Sequence, residues 1–438
     1  MSDRIKVVTS RLLLVVGLAL CWSSAHAVLR VEITRGVGGG LPIAIVPFKV
    51  LKGDVDIDIA QIVADDLERS GKFEVMDREN LISSPGSATD VKYQNWRVLS
   101  QDYLVVGNIE QTSAVDYRVT FELLDVIKQK SITAFQYQPR ENQLRRSGHK
   151  IADAVHEAII GSAGSFDTNL VYVSVTERDS LDNRRFHLQV SDSDGGSSET
   201  IVSQRQPIMS PAWSPDGNMI AYVSFENPRR SAIYVQDRFT GSRRVLASYE
   251  GLNGAPAWSP DGKKIAVTLS REGSPDLHVI DVATGRSFQL TRNPAIETEP
   301  AWSPDGETIY FTSDRAGGPQ IYRIPAEGGK VQRVTYEGNY NASADVSPDG
   351  RLITMVHRVG KDFRIAVLDL KNNLLDVLTS GRLDESPSFS PNSEMIIYAT
   401  EKDGKGVLGA VSSDGAIKLH MPLSEGEVRE PAWSPKLP

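Results

Sequence analysis

Pro300-Ala-Trp302-Ser-Pro-Asp-Gly306 decides the fold, because the chain repeats it. Pro211-Ala-Trp213-Ser-Pro-Asp-Gly217 and Pro256-Ala-Trp258-Ser-Pro-Asp-Gly262 are full copies. Ala344-Asp-Val346-Ser-Pro-Asp-Gly350, Pro387-Ser-Phe389-Ser-Pro-Asn392 and Pro431-Ala-Trp433-Ser-Pro435 are weaker ones. The large apolar position falls at 213, 258, 302, 346, 389 and 433, in steps of 43 to 45 residues. So constant a step means one structural unit copied. Within the third copy, β-prone runs at 308–312, 320–324 and 331–335 alternate with Gly- and Pro-containing turns. Four short strands and about 44 residues per unit read as one blade of a β-propeller.

The ends set the blade number. Three strand-like runs, 170–176, 186–191 and 200–203, precede Pro211 without a first strand of their own. One first strand follows Pro431 and nothing more. Three plus one complete a sixth blade, so the expected propeller spans 168–438 and closes by joining both chain ends. The repeated Trp is expected to pack between blades, and the Pro-Asp-Gly turns to be structural.

Working outward, residues 41–161 do not repeat. Strand-like runs at 42–48, 73–76, 103–109, 117–124 and 131–136 mix with helical stripes at 57–69 and 143–160. They predict a small α/β domain, tied to the propeller by a linker at 162–167 and preceded by a flexible segment at 28–40 rich in glycine. Residues 1–27 read as a secretory signal peptide: Arg4, Lys6 and Arg11, then an apolar run from Leu12 to Leu20, then Ala25-His-Ala27 as the cleavage site. The apolar run is too short to span a membrane. Cys21 is a candidate lipidation site, but Leu20 stands before it where a small residue is wanted. Cleavage moves the net charge from −8 to −10 and removes the one cysteine of the 438 residues. An acidic chain argues against nucleic-acid binding, and a chain without cysteine has neither disulfide nor thiolate zinc site.

Catalytic signals are poor. No Gly-x-Ser-x-Gly elbow exists for a peptidase. His156-Glu157 begins like a zinc-protease helix, but Ile160 stands where the second histidine belongs. Gly36–Gly40 lacks the Gly-Lys-Ser/Thr of a phosphate loop. No cofactor is called for. The residues before each repeated Pro should gather at one mouth of the channel: Met209-Ser210, Gly254-Ala255, Thr298-Glu299, Ser343 with Asp345, Glu385-Ser386 and Arg429-Glu430. Glu299, Asp345, Glu385 and Glu430 there form a solvated acidic rim or a seat for a hard cation such as Ca²⁺. A periplasmic lyase or hydrolase using these carboxylates is the rival to a binding role. A carbohydrate binder would show exposed aromatics, and these mouth residues include none.

The whole order, with Val31-Glu-Ile-Thr-Arg-Gly36, Pro42-Ile-Ala-Ile-Val-Pro-Phe48 and the repeats, resembles the TolB family, periplasmic components of the Tol-Pal system of Gram-negative bacteria. The resemblance implies a non-enzymatic periplasmic scaffold that serves outer-membrane integrity and cell division and that some bacteriocins exploit. It implies that the lipoprotein Pal binds at the channel mouth, on Asn253, Gly254, Ala255, Thr298, Glu299, Asp345, Asp384, Glu385, Arg429 and Glu430. It also implies that TolA binds the segment Val28, Leu29, Arg30, Val31, Glu32, Ile33 and Thr34, exposed in step with events at the mouth. Leu252 departs from the family, some of whose members carry histidine there.

Overall fold

The computed structural model describes residues 30–33, 39–178, 180–421 and 426–436. The expected signal peptide, Cys21, Val28, Leu29 and Thr34 lie outside them. After β1 (Arg30–Ile33), a sheet forms from β2 (Leu41–Ile45), β3 (Lys49–Lys52), β4 (Phe73–Val75), β5 (Tyr103–Gln111), β6 (Tyr117–Asp125) and β7 (Lys130–Tyr137). Its order is β4-β2-β5-β6-β7, with β3 continuing the line of β2 alongside β5. Helices α1 (Ile59–Arg69) and α3 (Leu144–Ile160) cover one face. The apolar stripe read from the sequence is the buried one: Ile59, Val63 and Leu67 meet Ile151 and Val155 over Ile43 and Val105. Asp58 caps α1 by accepting from the N–H of Gln61 at 3.0 Å. Trp96, on the short α2 (Tyr93–Val98), fills the other face against Ala44, Leu104 and Val106.

The rest is a six-bladed propeller of four-stranded blades. Blades 1 to 5 begin at Ile208, Asn253, Glu297, Asn341 and Glu385. Blade 6 takes three strands from Asn169–Gln204 and its inner strand, Glu427–Trp433, from the end of the chain. Trp433 sits opposite Leu170 in that closure. Among the described residues, blade 5 alone carries a fifth strand. β1 pairs antiparallel with its outer strand Ile417–Met421, Arg30 opposite His420 and Ile33 opposite Ile417. An outer strand leaves a row of unpaired N–H and C=O groups, and a β-prone segment satisfies them.

The repeated Trp joins blades as its chemistry requires. A large ring fills the gap, and its one donor needs a partner. The indole N–H of Trp213, Trp258 and Trp302 donates to the carbonyl of Ala432, Ala212 and Ala257 respectively, each in the preceding blade, at 3.0–3.2 Å. Trp433 donates instead to Thr168 at 2.8 Å. The Ser-Pro-Asp-Gly turns are built alike. In blade 3 the Ser303 hydroxyl accepts from the N–H of Thr308, Asp305 accepts from the N–H of Glu307, and Gly306 adopts φ 75°. Blade 5 has Ser393 at the matching position, at φ 64°.

That position yields a clean stability test. A Cβ on Gly306 would meet only the Pro260 ring, at an ordinary 3.7 Å. Gly306→Ala is therefore expected to cost about 1–2 kcal/mol from backbone conformation alone. Ser393→Gly should gain up to about 1 kcal/mol for the same reason. Urea denaturation of the two variants measures both, and equal shifts of one sign would contradict the assignment.

Candidate functional site

The six inner strands surround a channel of about 750 Å³. In each, pairing with the second strand slips at one place: between Met209 and Ala212, Gly254 and Ala257, Thr298 and Ala301, Ala342 and Asp345, Glu385 and Ser388, Arg429 and Ala432. Such bulges re-aim side chains and cluster near functional sites. The residue inside each slip is left-handed: Ser210, Ala255, Glu299, Ser343, Ser386 and Glu430, with φ of 47–54°. Five of the six precede proline, which has no N–H to lose from the ladder.

All six left-handed residues are among those the sequence placed at the channel mouth, and all six line the channel. The charged residues lining it are Glu299, Asp345, Asp384, Glu385 and Glu430, and no Lys, Arg or His joins them. Burial raises the Glu430 carboxyl above its ordinary range, and Glu385 adds to the rise against the N–H of Ser210. Desolvation lifts Asp345 to about 6, although it accepts from the N–H groups of Phe389 and Val346. A field of this sign favours a partner bringing cationic or hydrogen-donating groups.

Other expected residues are held by structural partners or stand off the channel. Asn253 is fully buried; its amide donates to the carbonyls of Ser231, Tyr249 and Gly251. Asp384 is buried and accepts from the hydroxyls of Thr379 and Thr400. Gly254, Thr298 and Arg429 do not line the channel. Thr298 accepts from the Thr268 hydroxyl at 3.2 Å, and Arg429 is exposed beside Glu427.

Asn253 and Asp384 belong to a set that the sequence reading missed. Glu297 and Asn341 hold the same place in blades 3 and 4, five residues before the repeated apolar position, and are also fully buried. Glu297 pairs with Arg315; Asn341 donates to Glu337 O and Gln320 Oε1 and meets His357 Nδ1 at 2.8 Å. Each polar anchor fixes the loop entering its blade, and the residue just before it is apolar: Leu252, Ile296, Tyr340 and Leu383. Leu252, Ile296 and Leu383 are 42%, 50% and 45% exposed. Tyr340 lines the channel with Phe363, edge to face at 5.1 Å. In blades 6 and 1 the anchor place is taken by Val428 and Ile208. The mouth is thus an apolar arc over blades 2–5 around an acidic floor.

A second cluster lies between the α/β domain and blade 6. Asp66 contacts Arg69 and His149; Arg145 contacts Asp192 and Asp194; the Arg69 guanidinium donates to the carbonyl of Ser193. Burial alone would lower His149, but Asp66, with Asp192 and Asp194, raises it to about 10. Arg69, Arg145 and His149 hold Asp194 at about 2 against its own desolvation. His149, Asp192 and Asp194 lie close enough to hold a metal, but Arg145 and the protonated His149 already face the two carboxylates. Asp153, on α3, clamps the linker by accepting from the N–H groups of Phe166 and Asp167. The His156 imidazole meets the carbonyl of Ser162 at 3.1 Å.

Two family models match the chain: the TolB amino-terminal domain over residues 29–132 and the TolB beta propeller domain over 156–437. The chain belongs to the TolB family. It is 48% identical over 435 residues to the Tol-Pal system protein TolB of Thioalkalivibrio sulfidiphilus, covering 99% of both chains. It is 48% identical over 412 residues to that of Nitrosococcus oceani, covering 94% of both. The crystal structure of TolB from Acinetobacter baumannii superposes with a TM-score of 0.84 at 39% identity, covering 93% of this chain and all of that one. Among the described residues, no helix is long and apolar enough to cross a membrane.

Proposed function

We propose that the chain is a periplasmic, non-enzymatic scaffold of the Tol-Pal system that docks Pal at the channel mouth and TolA through residues 28–34. Through these contacts it supports outer-membrane integrity and constriction during division. The observation that carries the reading is the mouth itself: four anchored loops presenting apolar side chains around a channel whose charged lining residues are all acidic. Interfaces gain most from apolar anchors that are held in place before binding.

The pairing of β1 supports the second contact. Its four residues join one outer edge, and Gly36 and Gly38–Gly40 separate it from β2. A strand so tethered can leave blade 5 and add to an edge of a partner instead. Deleting residues 28–34 is expected to abolish TolA binding in calorimetry while Pal affinity stays within about threefold. TolA binding that survives the deletion would refute the role of the segment.

A further inference from the structure

Six left-handed residues around one channel need something to hold them, because backbone of this kind is strained outside glycine. At two of them the holder is a carboxylate of the preceding blade. Glu299 Oε2 accepts from the N–H of Ser343 at 2.8 Å and from the Thr312 hydroxyl at 2.7 Å. Glu430 Oε2 accepts from the N–H of Ser210. Glu299 joins blade 3 to blade 4 and Glu430 joins blade 6 to blade 1, so the two contacts stand three blades apart across the ring. Ser343 N also reaches Thr312 Oγ1 at 3.1 Å, which closes a three-membered hydrogen-bonded unit.

We infer that Glu299 is a positioning residue for the partner mouth, clasping the bulge of blade 4 to blade 3, and that Glu430 clasps blade 1 to blade 6 in the same way. Ile296 and Tyr340 stand three residues before the two bulge positions that Glu299 joins. The clasp therefore sets the spacing of two members of the apolar arc. Two donors fill Oε2 and commit the side chain to the clasp, while Oε1 keeps its accepting capacity. The family resemblance implies that Glu299 touches the partner itself; the clasp gives it a positioning role through Ser343. This inference rests on the proposed docking of Pal at the mouth.

Glutamine and alanine separate the two roles. Glu299→Gln keeps a side-chain oxygen able to accept from both Ser343 and Thr312 but removes the charge. Glu299→Ala removes both. Pal affinity by calorimetry and amide exchange at Ser343 are the two readouts, the second needing no partner. Glu299→Ala is expected to weaken Pal about 10–100-fold and to speed Ser343 exchange at least about tenfold, with Glu299→Gln restoring both to within about threefold. Thr312→Val, which keeps the carboxylate and removes one donor, should weaken Pal several-fold should the alanine variant fail to fold. Equal loss of Pal affinity in Gln and Ala variants, with Ser343 exchange unchanged, would make Glu299 a direct charged contact and overturn the inference. Faster Ser343 exchange in the alanine variant with unaltered Pal affinity would leave the clasp standing and overturn the docking reading.

Discussion

Asp66→Ala is expected to destabilise the protein by about 3–5 kcal/mol, because it strands two buried cations. Asp66 is fully buried and contacts Arg69 and His149, which are themselves nearly inaccessible. Around it three carboxylates, Asp66, Asp192 and Asp194, face three cations, Arg69, Arg145 and His149. The cluster is neutral only while His149 is protonated. Its folded pKa of about 10 lies above the ordinary 6.5, so the stability it contributes is complete below about pH 6.5. That stability is lost as pH rises through about 10. Asp194, held at about 2, behaves oppositely: its contribution is present above its ordinary 3.8 and is lost as pH falls through about 2. Denaturant titrations of wild type at pH 7, 9 and 10.5 should show the alkaline loss, and Asp66→Ala should show much less of it. An unchanged pH profile in the variant would mean that His149 titrates without Asp66.

The other large effect is expected at the mouth. Ile296→Asp with Leu383→Asp should lower Pal affinity at least about 100-fold and leave the denaturation midpoint nearly unchanged. Both side chains are about half exposed, so little folding energy rests on them. Each substitution places a carboxylate beside an acidic channel and removes an apolar anchor. Arg429→Ala, an exposed residue off the channel, serves as the matched control and should change affinity little. Loss confined to Arg429→Ala would move the contact away from the arc.

Much of this architecture was legible from the repeat. A fixed step, a turn motif and a lone first strand at Pro431–Pro435 lead to six blades closed by both chain ends, because blade packing demands the same residues at each copy. The Trp role was legible for the same reason. The pairing of β1 was not: Arg-Val-Glu-Ile is β-prone, but four residues name no partner strand. α2 and β3 are too short for periodicity to reveal.

Ala255, Glu299 and Glu430 immediately precede the repeated proline and Glu385 stands two before it, so the repeat alone put them on the channel lining. Asn253 and Asp384 lie close by in sequence, yet both are buried and hydrogen-bonded as loop anchors. The apolar arc was missed because Leu252, Ile296, Tyr340 and Leu383 are of three different residue types. The signal was present as an apolar residue followed by a polar one at a constant distance before the repeated aromatic or valine of blades 2–5.

Hydrogen exchange of the full protein with and without saturating Pal tests the central claim most directly. Docking at the mouth predicts slowed exchange in 250–256, 294–300, 338–344 and 381–387, the four anchored loops and their bulges. Slowing confined to the outer strands of the blades or to the α/β domain, with those four loops unchanged, would contradict it.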